Sequence, residues 1–178
     1  MQHITYQDWL PLILGPGRLP AYQAYNAGLD PSIANVFAAS AFRFGHTLIQ
    51  PLLRRLDPAL NSIPEGDLAL HRAFFAPWRR VEEGGVDPLL RGLFASPGKL
   101  PAADEVMNSE LTERLFDVAH AVALDLAALN IQRGRDHGIP PYTHWLRYCG
   151  LGYVTTWDDL RRHIQVPRPQ LLNSRKIK

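Results

Sequence analysis

The chain has 178 residues, 46% of them hydrophobic and 20% charged, the balance of a folded domain, which excludes wholesale disorder. Its 19 basic and 17 acidic residues leave a formal charge of +2, and without a long basic run they give little support for a nucleic-acid surface. No apolar stretch approaches the roughly 20 residues that cross a bilayer, and residues 1–20 lack the apolar core and small-residue cleavage site of a secretory signal.

In chain order, residues 3–14 read as a helix that Gly15 ends. Asp-Pro pairs then punctuate the sequence at Asp30-Pro31, Asp57-Pro58 and Asp87-Pro88. Asp accepts from free backbone N–H groups and Pro pre-sets φ, so the pair marks a helix start. The expectation is a helix from 31 to about 50, with Pro51 a kink, a short turn at 58, and a helix from 88. Ser109, with Glu110 and Glu113 in the first turn, opens another helix. Leu111, Leu115, Val118, Val122, Leu126 and Leu129 recur in steps of three and four, which predicts one long amphipathic helix. Thr156 and Asp159 fit a capping box that carries a helix to about His163. The segments 15–20, 61–66, 96–101 and 133–141 read as connections, and the basic tail at 173–178 as a frayed end. Strand-type alternation is scarce. The fold class expected is mainly α, in one domain. Cys149 is the single cysteine, so no internal disulfide forms.

The run "ASAFRFGHTLIQP" (39–51) sets His46 and Arg43 among Phe42, Phe44, Leu48 and Ile49. On a helix the two share a face, and two ionisable groups on a buried apolar face need compensation. One reading is a hydrogen-bonded core histidine with an arginine that reaches the surface. The other makes His46 an axial ligand to a haem iron and Arg43 the partner of a haem propionate. A second stretch, "LDLAALNIQRGRDHGIPPY" (124–142), places Asn130 beyond Leu129 at the expected helix end, with Arg133, Asp136 and His137 following. Asn130 as a helix C-cap and a solvated Arg/Asp turn is the plain alternative.

Together "AFRFGHTLIQPLLRRLD", "EGGVDPLLRGL", "ELTERLF" and "ALDLAALNIQRGRDHGIPPY" resemble the animal haem peroxidase family, and peroxidasin-type members more than myeloperoxidase or lactoperoxidase. The ordered matches cover most of residues 3–165. The resemblance implies a mainly helical fold around haem b, with hydrogen peroxide oxidising halides, thiocyanate or aromatic donors such as phenols. By motif, His46 takes the proximal ligand position and Arg43 that of a propionate-pairing arginine. Asn130 takes that of the asparagine whose oxygen accepts from the proximal imidazole, and Arg133 that of a second propionate-side arginine. An acceptor behind a metal-bound imidazole fixes its tautomer and raises its basicity. Leu126 and Leu129 then stand as pocket walls or, equally, as core residues.

The resemblance also implies a distal half, holding a catalytic histidine and arginine, a calcium loop and carboxylates that form ester links to haem. No motif before His46 matches it, so no catalytic residue is assigned. Residues 1–178 are expected to form a partial domain, the proximal half, whose partner is the missing distal half. Calcium is expected only there, and an extracellular setting is implied. Cys149 resembles a family cysteine whose disulfide partner lies downstream. Three classes stay open: the proximal half of a peroxidase, a haem-binding fragment without turnover, and a helical interaction module without cofactor. Zinc chemistry lacks an HExxH pair, and a nucleotide site lacks the phosphate-loop lysine pattern.

Overall fold

The computed structural model describes residues 1–102 and 104–164, without the side chains of Arg80 and Val81; the basic tail at 173–178 lies outside the described residues. The chain divides into two compact units, residues 1–32 and residues 33 onward.

The first unit is built on residues 4–14. Ile4–Trp9 is wound as a π-helix, so the Leu10 N–H reaches back five residues to Thr5 O. It tightens into α1 (Leu10–Leu14), with Pro11 in its first turn, and stops at Gly15, whose φ of 91° suits glycine. The expected helix over 3–14 is present.

The second unit carries the site. The helix expected to start at Pro31 does not start there. Asp30 spends its carboxylate on the Ser32 N–H and hydroxyl, both at 2.9 Å, which closes a local turn instead of capping a helix. Helix α2 (Asn35–Ala39) begins four residues later and is broken at Ser40, where φ is −139° and ψ −69°. Ala41–Leu48 then runs as a 3₁₀ helix, not a continuation of one α-helix. Strands β1 (Leu52–Leu53) and β2 (Leu68–Ala69) pair antiparallel, Leu52 opposite Ala69. Between them Asp57 accepts from the Ala59 and Asn61 backbones at 2.8 and 2.9 Å, the turn expected there.

Helices α3 (Leu70–Ala73) and α4 (Trp78–Val81) follow, then α5 (Val86–Ala95). The last starts two residues before the expected Pro88, after Gly85, so Asp87 lies in its first turn and does not cap it. Gly92 lets α5 lie against the strand region: a Cβ there would stand 1.9 Å from the Arg54 carbonyl oxygen. The neighbouring Arg55 is buried. Its guanidinium donates to the Gly66, Glu65 and Glu83 carbonyls and pairs with the Glu83 carboxylate at 3.1 Å.

The long helix expected from 109 to 129 is two helices, α6 (Ser109–Thr112) and α7 (Leu126–Asp136). Phe116 turns the chain at φ 60°, so that its ring meets Phe74 and Phe75 edge-on at 5.0 Å each. Leu115 and Leu124 then exchange backbone hydrogen bonds across the loop. Val118 and Val122, periodic in sequence, stand exposed there. The core gathers Leu70, Leu111 and Leu115, with Ile49, Leu53, Phe74, Met107 and Leu126 packed against it. Helix α8 (Tyr142–Tyr148) is followed by α9 (Trp157–Leu160), which opens with the predicted capping box. The fold is mainly α, its one sheet among the described residues having two strands.

Candidate functional site

Two short elements meet at the site. The first is the 3₁₀ segment Ala41–Leu48. With three residues per turn, side chains three apart eclipse, so Arg43 and His46 stack on one face more directly than an α-helix would allow. The end of this segment is pinned on both sides. Lys99 N–H donates to the Leu48 carbonyl at 2.9 Å, and the buried Asn108 donates its amide to the Ile49 carbonyl at 2.7 Å. The expected apolar burial around His46 is only partial: Phe42 is 52% and Leu48 36% exposed, because no described element covers that flank.

The second element is α7. Asp125 caps it, its carboxylate accepting from Ala127 and Ala128 N–H at 2.7 and 3.2 Å. Its far end closes with Ile139 N–H on Gly134 O and Gly138 N–H on Arg135 O. Gly138 sits at φ 62°, the left-handed residue that this paired closure needs. Asn130 therefore lies inside the helix, not at its C-cap, and residues 133–136 are helical where a turn was expected. The cap is His137.

Arg43 and Asn130 meet across 87 residues of sequence, the Arg43 Nη1 donating to Asn130 Oδ1 at 2.8 Å. The other face of the same amide meets the imidazole: Asn130 Nδ2 lies 3.1 Å from His46 Nδ1. The oxygen thus faces Arg43 and the nitrogen faces the ring, the reverse of the orientation expected from the motif. A guanidinium and a ring N–H compete for one amide oxygen, and the charged donor forms the stronger bond. His46 Nδ1 is then an acceptor, and its neutral ring carries the proton on Nε2. Burial first, and the Arg43 charge second, hold the His46 pKa below its ordinary value. The ring is thus kept neutral, the form a metal takes.

Arg43 Nε is buried and has no hydrogen-bond partner among the described residues. A carboxylate is the group that engages Nε and an Nη edge together. His46 Nε2 likewise makes no hydrogen bond among the described residues. A buried guanidinium edge wanting an anion, beside a neutral imidazole whose Nε2 would ligate once its proton moves to Nδ1, is a donor set that fits an iron porphyrin with carboxylate side arms.

The other expected residues lie further off. Arg133 is exposed, its nearest acid being Asp136 at 3.8 Å. Leu126 packs against the core cluster, and Leu129 is 40% exposed. One pair escaped the sequence reading. Asn35, at the start of α2, holds His137 at the end of α7. His137 Nδ1 lies 2.8 Å from Asn35 Oδ1, and Asn35 Nδ2 donates to the His137 carbonyl at 3.3 Å. With 102 residues between them, no periodicity or motif spacing joins the two. Among the described residues, no group of three or more His, Cys, Asp and Glu side chains is placed to hold a metal ion. No helix there is long and apolar enough to cross a membrane, and Cys149 is free and exposed.

The family model described as "Animal haem peroxidase" matches residues 1–174. The mouse peroxidasin homolog is 56% identical over 170 residues, which cover 94% of this chain and 12% of that protein. Peroxidasin of Drosophila melanogaster is 56% identical over 167 residues, covering 92% of this chain and 11% of that one. Among solved structures, peroxidase A from Dictyostelium discoideum superposes with a TM-score of 0.73 at 36% identity, covering 89% of this chain and 29% of that chain. The chain thus spans a small part of the length of the relatives it matches.

Proposed function

Because the chain belongs to the animal haem peroxidase family, we propose that it forms the proximal side of a haem b pocket in a peroxidase, with His46 as the axial iron ligand. What supports this reading is the Arg43–Asn130–His46 cluster, with its unpartnered Arg43 Nε and its neutral imidazole. When bound, haem would supply the iron centre through which hydrogen peroxide oxidises a halide, thiocyanate or phenol.

The chain's own residues act on that centre in four ways. Arg43 takes a propionate on its Nε edge. Losing Arg43 as its donor, Asn130 can turn its amide and offer Oδ1 to His46 Nδ1–H. The proton then rests on Nδ1, and Nε2 is free to ligate. Arg133, one turn beyond Asn130 on α7, reaches toward a second carboxylate once it leaves Asp136. Leu129 flanks the ring as a wall, while Leu126 serves that wall from the core. The domain assignment follows: residues 1–178 as the proximal portion, completed by a distal half that carries the catalytic histidine and arginine and the calcium. An extracellular setting is part of the same proposal.

The test mixes purified chain with hemin and follows the visible spectrum beside His46→Ala and Arg43→Ala. The parent is expected to shift the Soret band, and His46→Ala to lose the shift. Arg43→Ala should release hemin faster, by about 1–3 kcal/mol of lost charge-assisted bonding. Identical parent and His46→Ala spectra would remove the ligand assignment. Oxidation of guaiacol by the same samples is expected to stay far below that of an intact peroxidase. Turnover at the intact level would show an acid–base residue in this chain that the proposal leaves out.

A further inference from the structure

Asn35 and His137 form a two-point clasp. The ring N–H donates to the amide oxygen, and the amide N–H donates to the carbonyl of the residue that caps α7. We infer that this clasp is a positioning device for the Arg43–Asn130–His46 cluster, fixing where α7 stands against the His46 segment; the inference rests on the proximal-pocket reading.

The geometry is that of a second fastening on the same helix face. His137 follows Asn130 by seven residues, about two turns and about 10 Å along the axis. On the facing strip of chain, Asn35 opens α2, and Arg43 and His46 follow in the 3₁₀ segment. Leu126 seats the start of α7 against the core and the clasp fastens its far end, so Asn130 stands between two held ends. Together they fix the rotation and the height of α7, and so fix the distance from the Asn130 amide to the imidazole.

The clasp also uses what the helix end leaves over. The paired closure at Gly138 and Ile139 employs the Arg135 and Gly134 carbonyls, and Asn35 takes that of His137. At its other end α2 is a five-residue helix, too short to stand by itself. Its Phe37 ring packs on Phe42 at 5.1 Å, so a shift of α2 passes directly into the turn that carries Arg43. Both clasp bonds are exposed to solvent, where water replaces a lost partner and net stability changes little. A role in placement therefore predicts a local effect without a global one.

The test uses the full chain with Asn35→Ala, His137→Ala and the double variant. In hemin-free protein, the ring signals of His46 and the side-chain amide signals of Asn130, read by ¹⁵N NMR, are expected to move in both single variants. Melting should hardly change, and the double variant should give no more displacement than Asn35→Ala alone, since Asn35→Ala already removes both bonds while His137→Ala leaves the one to the backbone carbonyl. With hemin added, dissociation should accelerate by up to about tenfold, the lower end of what loss of an outer partner costs a metal site. Unmoved His46 and Asn130 signals, or effects that simply add in the double variant, would overturn the clasp. A parent chain that fails to bind hemin would instead sink the pocket reading, and the hemin-free signals would still decide the clasp.

Discussion

The Asn130 amide has one oxygen and two suitors, the Arg43 guanidinium and the His46 ring, and the guanidinium holds it. This leaves His46 neutral, with a pKa below its ordinary 6.5 through burial and then the Arg43 charge. The consequence for pH has a definite sign. Between the lowered folded-state value and 6.5, the unfolded chain binds more protons than the folded one, so stability falls as pH drops through that window. Urea midpoints at neutral and mildly acidic pH should fall further for the parent than for His46→Gln, and equal falls would contradict it. Hemin affinity should weaken over the same range. The residues of this cluster were legible in the sequence because each sits in a recognisable motif. The turn of the amide was not, because it depends on which donor wins, and that is settled by packing rather than by spacing.

Helix α7 sets where Asn130 stands, and Asp125 sets where α7 starts. Asp125→Ala removes an acceptor shared by two N–H groups and is expected to cost about 1 kcal/mol. The measurement is the urea midpoint, together with loss of the Asn130 amide signal as the first turns fray. An unchanged midpoint would show that core packing of Leu126 alone holds the start. Local chemistry was readable at Thr156, where the capping box formed with both reciprocal bonds, and at Asp57. It misled at Asp30, whose carboxylate met Ser32 before any helix could use it. The long helix failed for a different reason. Leucines at three- and four-residue steps are satisfied equally by two short elements facing one core, and the edge-on contacts of Phe116 with Phe74 and Phe75 favour the break.

Across the whole second unit, the buried His71–Glu110 pair joins α3 to α6 around the leucine core. Glu110 accepts from the His71 backbone at 2.9 Å and from its ring, and also meets Arg114 at 3.2 Å. Burial alone would raise the Glu110 pKa, but the two bonds from His71, with help from Arg114, bring it below its ordinary 4.5. Its contribution is therefore present above pH 4.5 and fades as pH falls through the lowered value. Glu110→Ala leaves a buried polar ring without its partner and should cost about 1–3 kcal/mol, read as a lowered melting temperature. A loss under about 1 kcal/mol, the worth of an ordinary hydrogen bond, would show that the pair is not structural. The mainly helical class was evident from capping signals and scarce alternation. The buried polar network was not, since His71 meets Glu110, and Asn108 meets Ile49, only once the chain has folded.

The 3₁₀ winding of Ala41–Leu48 carries a last consequence. An α-helix keeps partners adjacent at a spacing of either three or four, so it absorbs a one-residue insertion between them. A threefold winding has no such slack: one extra residue swings everything after it by about 120°. The octet that bears Arg43 and His46 is thus a stretch in which side chains are exchangeable in principle but length is not.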